Sequence, residues 1–349
     1  MKKIRILAVD DSVLARRMLI EVLSEEAVFE IIAAANGRIG LSKISQAEPD
    51  IVILDVEMPD MDGLETLKQI RKQFPELPVI MFSRLTERGA SETIDALFMG
   101  ANDYVAKPTK TRDYNESKQC IRHELTPKIK ALCVDKLESP LHRPLRSMPG
   151  LIKTDARQRV SIVAIGVSTG GPNALAEVLS CIPSNFRVPI VIVQHMPPVF
   201  SKYLSERLTA KLSICVSEAG PGDEIIHGQA FLAPGGFHMT LGKNGAMVVV
   251  QTNRDPPVNN CRPAVDLLFE SVARIYGSYA LGVILTGMGY DGLKGCEYIK
   301  KYGGQVLVQD KASSSVWGMP KAVADAGLAD KILPLKKIGN EILEIVGAK

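Results

Sequence analysis

The chain has 349 residues, 46% of them hydrophobic, and a formal net charge of +3 at pH 7. This length predicts two domains, and the hydrophobic content is adequate for two ordinary packed cores. So small a net charge argues against a polyanionic partner such as a nucleic acid.

No stretch of the sequence indicates export or membrane insertion. The N-terminus carries Lys2, Lys3 and Arg5, but its apolar run ends at Val9, before two aspartates. This pattern fits neither a signal peptide nor a membrane span. The six cysteines include no CxxC pair, which argues against a zinc site or a disulfide framework. We therefore expect a soluble cytoplasmic protein with no direct membrane insertion.

The N-terminal part of the chain alternates short apolar runs with helical patterns. The runs that read as buried strands are Ile4 to Val9, Glu30 to Ala34, Ile51 to Leu54, Pro78 to Phe82 and Asp103 to Ala106. Such a series of βα units predicts an α/β domain with a doubly wound, five-stranded parallel sheet.

A proline-marked, basic stretch between Ser139 and Arg157 predicts a linker. A second alternation of strands and helices begins at Val160 and predicts another doubly wound, mostly parallel α/β domain, with a hairpin around Phe237 to Gln251. The predicted boundaries are 1–122 for the first domain, 123–157 for the linker and 158–349 for the second domain.

Polar side chains follow several strands of the first predicted sheet. Asp10 and Asp11 come after the first strand, Asp55 after the third, Ser83 after the fourth and Lys107 after the fifth. The carboxyl ends of parallel strands meet at one edge of a sheet, so these groups should converge there. Clustered carboxylates suit Mg²⁺, and a hydroxyl and an ammonium beside them predict a site that accepts a phosphoryl group.

This set of residues resembles the receiver domain of bacterial response regulators, a flavodoxin-like fold, over residues 1 to 122. The resemblance implies that a histidine kinase phosphorylates Asp55. It places Mg²⁺ on Asp10, Asp11, Asp55 and the backbone carbonyl of Glu57. Supporting positions around the phosphorylation site fall on Ser83, Tyr104 and Lys107.

A glycine-flanked serine follows the first strand of the second domain, in the run VSIVAIGVSTGG from Val160 to Gly171. A strand, a sharp glycine-rich turn and a helix are the context of a nucleophile elbow. The same letters nearly match the dinucleotide-binding fingerprint, whose three glycine positions fall on Gly166, Ser168 and Gly171. The pattern alone therefore leaves open a nucleophile and a phosphate-binding or purely structural turn.

A serine nucleophile needs a base and an orienting acid. The next strand ends in His195, where the dinucleotide fingerprint would require an acid, and a neighbouring parallel strand would bring this imidazole near Ser168. His238 is the rival base. Asp291, in a glycine-rich loop after the strand Leu281 to Leu285, is the candidate acid. The alternative acids left open are Asp266, Asp310 and Glu224.

Six motifs in this order resemble the chemotaxis protein-glutamate methylesterase family, known as CheB: GVSTGG, QHMP, APGGFHM, RPAVD, LTGMGYDG and VWGMP. The resemblance covers nearly the whole chain. It places the nucleophile on Ser168, the base on His195, the acid on Asp291, the oxyanion contacts on the backbone amides of Thr169 and Met288, and substrate-cleft positions on His238, Arg262 and Asp266. The sequence departs from the family at Tyr290 and at Asn259-Asn260-Cys261.

The resemblance implies a phosphorylation-regulated hydrolase that demethylates glutamate methyl esters on the cytoplasmic helices of methyl-accepting chemotaxis receptors. Deamidation of receptor glutamines is compatible with the same chemistry. The implied partners are these receptors and the pathway's histidine kinase. The implied cofactor is Mg²⁺ in the receiver domain, for phosphorylation, and the esterase reaction is expected to need none. A phosphorylation-controlled, non-catalytic binding protein of a two-component pathway is the alternative.

Overall fold

The computed structural model describes residues 3–108, 113–134 and 159–347. These residues form two compact units, one on each side of residues 135–158, so most of the predicted linker lies outside the described residues. Among the described helices, none is long and apolar enough to cross a lipid bilayer.

The first unit is a five-stranded parallel sheet with the strand order β2-β1-β3-β4-β5. Its elements are β1 (Ile4–Val9), α1 (Val13–Ser24), β2 (Phe29–Ala34), α2 (Gly37–Ala47), β3 (Ile51–Asp55), α3 (Gly63–Gln73), β4 (Val79–Ser83), α4 (Glu87–Phe98), β5 (Asp103–Ala106) and α5 (Tyr114–Leu132). The predicted doubly wound sheet is confirmed.

The polar residues of this unit collect at one edge of the sheet. β3 and β4 are buried along their whole length, as expected for parallel strands covered by helices on both faces. Asp55 and Ser83 are the last residues of these two strands, and Asp10 and Lys107 directly follow β1 and β5. The carboxyl edge of the sheet therefore carries the predicted cluster.

Helix α5 continues past residue 122, where the sequence analysis ends the first domain. Its apolar residues Ile121, Leu125 and Ile129 are spaced four apart, are buried, and join the core that includes Leu19 and Leu23 of α1. A four-residue spacing keeps all three on one helix face. The packed part of the first domain therefore extends beyond the predicted boundary, at least to the end of α5.

The second unit is a seven-stranded sheet with the order β14-β13-β12-β6-β7-β9-β8, in which all neighbouring strands are parallel. Its elements are β6 (Ile162–Val167), α6 (Gly171–Ser180), β7 (Ile190–Gln194), α7 (Phe200–Lys211), β8 (Cys215–Glu218), β9 (Gln229–Leu232), β10 (His238–Asn244), β11 (Met247–Asn253), α8 (Val265–Tyr276), a 3₁₀ turn (Gly277–Tyr279), β12 (Ala280–Ile284), α9 (Leu293–Lys301), β13 (Gln305–Gln309), α10 (Met319–Asp325), β14 (Lys331–Leu333) and α11 (Leu335–Val346).

Three wholly buried strands, β6, β7 and β12, form the middle of this sheet. β10 and β11 pair separately as an antiparallel hairpin, and the Leu241 amide of β10 donates to the Ser271 hydroxyl of α8 at 3.0 Å. The predicted mostly parallel domain with a hairpin is confirmed. Its central strands all end toward the loops that carry Ser168, His195 and Asp291.

Replacing Leu125 with alanine tests the extent of the first domain. Because Leu125 is fully buried, Leu125→Ala should lower the free energy of unfolding by about 2–5 kcal/mol, the usual cost of a leucine-sized cavity. Urea unfolding of the full chain, followed by circular dichroism, measures this. His123→Ala, at an exposed position of the same helix, is the control, and equal small effects of the two substitutions would contradict a packed helix here.

Candidate active site

The serine turn directly follows the central strand β6. The Ser168 amide donates to the Thr286 carbonyl at 3.0 Å, and the Ser168 carbonyl accepts from the Gly171 amide at 2.8 Å and from Gln194 Nε2 at 3.0 Å. The left-handed residue of the turn is Gly170, with φ 76°, and Ser168 itself has no positive φ. The turn therefore differs from a strained nucleophile elbow, because its glycine, and not its serine, adopts the unusual conformation.

The glycines of this turn make room for side chains of neighbouring elements. A β-carbon at Gly166 would lie 2.4 Å from Val265 Cγ1, and one at Gly171 would lie 1.9 Å from Gln194 Oε1. Both distances are well inside van der Waals contact. Packing alone therefore explains the glycines that made the sequence resemble a dinucleotide-binding fingerprint.

Strand pairing brings His195 beside the serine. Val167 of β6 pairs with Gln194 of β7, and the His195 amide donates to the Val167 carbonyl at 3.1 Å. Ser168 and His195 are thus the next residues along two adjacent parallel strands. The position predicted from their order in the sequence is the one observed.

The His195 ring is held between a carboxylate and a thiol. Nε2 lies 2.7 Å from Asp291 Oδ2, and Nδ1 lies 3.5 Å from Cys261 Sγ. Because an ionised carboxylate only accepts hydrogen bonds, the neutral ring carries its proton on Nε2, and Nδ1 has the lone pair. Nδ1 is therefore the nitrogen able to act as a base, and among the described residues its hydrogen-bond partner is Cys261.

Besides His195, three groups hold the Asp291 carboxylate. Asp291 Oδ2 also accepts from the Val265 amide at 2.6 Å, and Oδ1 accepts from Asn259 Nδ2 at 2.9 Å and the Asp266 amide at 3.2 Å. Burial would raise the pKa of Asp291, but the hydrogen bonds from His195, Val265 and Asn259 lower it below its usual value. The carboxylate therefore stays ionised and orients the imidazole.

Asp266 is buried, and both of its carboxylate oxygens are hydrogen bonded. It is 7% exposed, its Oδ1 accepts from the amides of Gly292 and Gly295 at 2.9 and 2.7 Å, and its Oδ2 accepts from Asn259 Nδ2 at 2.8 Å. Burial raises its pKa, and the charge of Asp291 adds to that shift. The predicted substrate-cleft role of Asp266 is corrected to that of a clamp on the loop after Asp291.

His238 and Arg262 both bond backbone carbonyls of the loop after β11. The cleft position of the partly exposed Arg262 stays a prediction. His238 is fully buried, and its Nε2 is bonded to the Pro256 carbonyl at 3.1 Å. Arg262 Nη1 donates to the carbonyls of Arg254 and Asp255, both at 3.1 Å. Both side chains fix the path of the loop after β11, so His238 is also excluded as the base.

Two backbone amides next to the serine are available to a ligand. In the described parts of the chain, the amides of Thr169 and Met288 donate no hydrogen bond. In the loop that carries Met288, the Gly287 carbonyl accepts from the amides of Gly318 and Met319 at 3.0 and 2.8 Å. Amides held without a partner beside a nucleophile are what an oxyanion site requires.

Sequence reasoning missed Asn259 and Cys261 as parts of the site. Asn259 bridges the carboxylates of Asp266 and Asp291 through one amide nitrogen. It does so from a left-handed backbone, with φ 53°, a conformation that asparagine tolerates better than most residues. The Asn-Asn pair was the available signal, because such pairs mark tight turns.

In the first unit, the acidic cluster surrounds one lysine. Lys107 Nζ lies 2.8 Å from Asp10 Oδ2 and 2.7 Å from Asp55 Oδ2, and Asp10, Asp11 and Asp55 have carboxylate oxygens within 4.8 Å of one another. Burial and the charge of Asp10 raise the pKa of Asp55 to about 6, against the opposing effect of Lys107. The carboxylates thus carry more negative charge than Lys107 alone neutralises.

The other predicted residues of this unit lie around the cluster. The Glu57 amide donates to Asp55 Oδ1 at 3.3 Å, so the backbone at Glu57 adjoins the acidic site. Ser83 is buried, and its hydroxyl donates to the Gly89 carbonyl at 3.1 Å. The Tyr104 ring is also buried and lies 5.2 Å from Lys128 Nζ.

Replacing Asp291 with asparagine tests the electrostatics of the ring. Burial disfavours the imidazolium, but the hydrogen bonds to Asp291 and Cys261 outweigh it and raise the pKa of His195. A carboxylate stabilises the imidazolium, so Asp291→Asn should lower this pKa by about one pH unit or more. NMR titration of the ring protons measures it, with the exposed His227 as the internal control. An unchanged His195 titration would contradict the assignment.

The chain matches two family models. One, described as CheB methylesterase, matches residues 163–342, and the other, described as a response regulator receiver domain, matches residues 6–117. Both matches fall on the units seen in the structure, and both were expected from the motifs.

Relatives of known name match over the full length. The protein-glutamate methylesterase/protein-glutamine glutaminase of Trichodesmium erythraeum (strain IMS101) is 53% identical, covering 99% of this chain and 100% of the relative. That of Geobacillus kaustophilus (strain HTA426) is 41% identical, covering 99% and 100%. The crystal structure of the Thermotoga maritima CheB methylesterase catalytic domain is 44% identical, with a TM-score of 0.53, and covers 54% of this chain and 100% of that one. The chain belongs to the CheB methylesterase family and carries a response regulator receiver domain before its methylesterase domain.

Proposed function

We propose that this protein hydrolyses glutamate methyl esters on the cytoplasmic helices of methyl-accepting chemotaxis receptors, under the control of its receiver domain. The observation that carries the proposal is the hydrogen-bonded pair of His195 and Asp291, which lies at the end of the strand adjacent to the one that Ser168 follows. The names of the relatives, protein-glutamate methylesterase/protein-glutamine glutaminase, give the substrate class.

In the proposed mechanism, Ser168 Oγ attacks the ester carbonyl as His195 Nδ1 takes the hydroxyl proton. The negative charge that develops on the carbonyl oxygen is stabilised by the amides of Thr169 and Met288, which are already in place and need no reorganisation. Nδ1 then returns the proton to the leaving methanol. Asp291 keeps the Nε2–H in position and stabilises the imidazolium throughout.

In the second half of the reaction, water takes the place of Ser168 as the nucleophile. Nδ1 takes a proton from water, the hydroxide attacks the acyl-serine, and the proton returns to Ser168 Oγ as the glutamate is released. A glutamine side chain enters the same sequence with ammonia as the leaving group. This accounts for both activities in the relatives' name with one set of residues.

For the receiver domain we propose phosphorylation of Asp55 by the histidine kinase of the pathway. The donor set fits Mg²⁺, since Asp10, Asp11 and Asp55 offer converging carboxylate oxygens and the backbone carbonyl of Glu57 is adjacent, all of them hard ligands. When bound, the metal would neutralise charge on the phosphoryl oxygens. Lys107, already in contact with Asp55, is positioned to bind a phosphoryl oxygen on that side chain.

Removing the nucleophile tests the esterase assignment. Ser168→Ala should lower the rate of methanol release from methylated receptor membranes by about a millionfold, which is below detection, because no other hydroxyl replaces the attacking group. Ser180→Ala is the matched control, since Ser180 is exposed at the end of α6 and only bonds the Glu177 carbonyl. Retained demethylation in Ser168→Ala would show that another residue is the nucleophile.

Removing the phosphoryl acceptor tests the regulation. Acetyl phosphate with Mg²⁺ should raise the methanol release of the wild type by about 5- to 150-fold, the range of typical allosteric couplings, and should leave Asp55→Asn unaffected. EDTA should abolish the stimulation. As a control, a fragment starting at residue 157, which lacks the receiver domain, should not respond to acetyl phosphate. Stimulation of Asp55→Asn by acetyl phosphate would place the regulatory site elsewhere.

A further inference from the structure

We propose that Cys261 is a peroxide-reactive thiol, and that its oxidation to a sulfenic acid blocks the base of the esterase. Its effect on activity rests on the proposed function. The reactivity of the thiol does not, because it follows from the contacts of Cys261 and His195 alone.

The thiol belongs to a Cys–His–Asp chain. Cys261 Sγ lies 3.5 Å from His195 Nδ1, and His195 Nε2 lies 2.7 Å from Asp291 Oδ2. An imidazole that is oriented by a carboxylate and contacts a thiol is the arrangement that activates sulfur nucleophiles. The thiol proton can pass to Nδ1 without any movement of the ring.

Among the described residues, no group other than His195 lies in a position to donate a hydrogen bond to the Cys261 sulfur. Its second contact is the Asn259 carbonyl oxygen at 3.4 Å, which only accepts hydrogen bonds. The sulfur lone pairs are therefore available to an incoming electrophile. Asp291, fixed by its own hydrogen bonds, favours the imidazolium that results from proton transfer.

The other cysteines lack this environment. Cys133 and Cys296 are buried, and burial raises the pKa of the Cys296 thiol well above its usual value. Burial also raises the pKa of Cys120. Cys215 is exposed and contacts no imidazole among the described residues, so it serves as an internal reference for an ordinary accessible thiol. Cys261 itself is partly exposed.

The proposed reaction is a two-electron oxidation by hydrogen peroxide. The Cys261 proton moves to His195 Nδ1, and the sulfur electron pair attacks one peroxide oxygen. An S–O bond forms as the O–O bond breaks. The leaving hydroxide takes the proton from Nδ1 and departs as water, so the sulfur is oxidised, the peroxide is reduced and the imidazole is regenerated.

The product would stop ester hydrolysis at its first step. A sulfenic hydroxyl on Cys261 would lie beside Nδ1 and donate to its lone pair, which must be free to accept the Ser168 proton. Thiols such as dithiothreitol reduce sulfenic acids. Cys261 forms no disulfide with another described cysteine, so we expect the modification to be reversible by added thiol.

Trapping the sulfenic acid tests the reactivity without reference to the esterase. The full-length protein is exposed to hydrogen peroxide with dimedone, and adducts at each cysteine are quantified by mass spectrometry. Cys261 should be labelled faster than Cys215. His195→Ala should slow the labelling of Cys261 by about tenfold or more, because the thiol loses the imidazole that takes its proton, and should leave Cys215 unchanged. Equal labelling of the two thiols, or no effect of His195→Ala, would overturn the proposal.

The activity arm compares each protein with its own untreated rate of methanol release. Peroxide should lower the rate of the wild type and of Cys215→Ser by about tenfold or more at matching adduct levels, with recovery in dithiothreitol. Cys261→Ser should keep its untreated rate in peroxide. Equal inactivation of Cys261→Ser and the wild type would overturn the proposed block of the base, and the labelling result would remain separate from any failure of the proposed function.

Discussion

The buried carboxylate of Asp291 organises the catalytic end of the second domain. A buried charge is costly unless it is hydrogen bonded, and this one receives its donors from β7's end, from the loop after β11 and from the start of α8. These segments must all be in place for the charge to be tolerated. The same contacts that stabilise the carboxylate also set the direction of the His195 ring.

The first domain also places its polar cluster at the carboxyl edge of a parallel sheet. There, however, carboxylates outnumber the cationic group that contacts them. The carboxylates of Asp10 and Asp55 share one ammonium, Lys107, and the charge of Asp10 helps to raise the pKa of Asp55. Asp291, with several donors, has a lowered pKa. The hydrogen bonds to Asp291 thus favour its ionised form, whereas at Asp55 the negative charge of the cluster exceeds what Lys107 alone neutralises.

The sequence was sufficient where residues lie at the ends of buried strands, because strand pairing alone brings Ser168 beside His195. The family resemblance assigned His238 and Asp266 to a substrate cleft, whereas the fold buries both side chains. Asn259 and Cys261 could not be assigned, because their partners Asp291 and His195 are distant in the chain. Only the path of the loop after β11 determines those contacts. The domain boundary predicted at residue 122 falls inside α5, because it follows the extent of the receiver resemblance and not the end of the helix.

Strand β6 lies in the middle of the second sheet, where local opening of the backbone costs the most free energy. Its neighbours β7 and β12 flank it in the middle of seven strands, so the serine, the histidine and the acid are all carried by the most protected part of the sheet. Strands fray first at sheet edges, and local opening there costs far less free energy than opening the centre. Backbone amides of β8 and β14 should therefore exchange with deuterium long before those of β6, so that the outer strands can open transiently while the reacting groups keep their alignment.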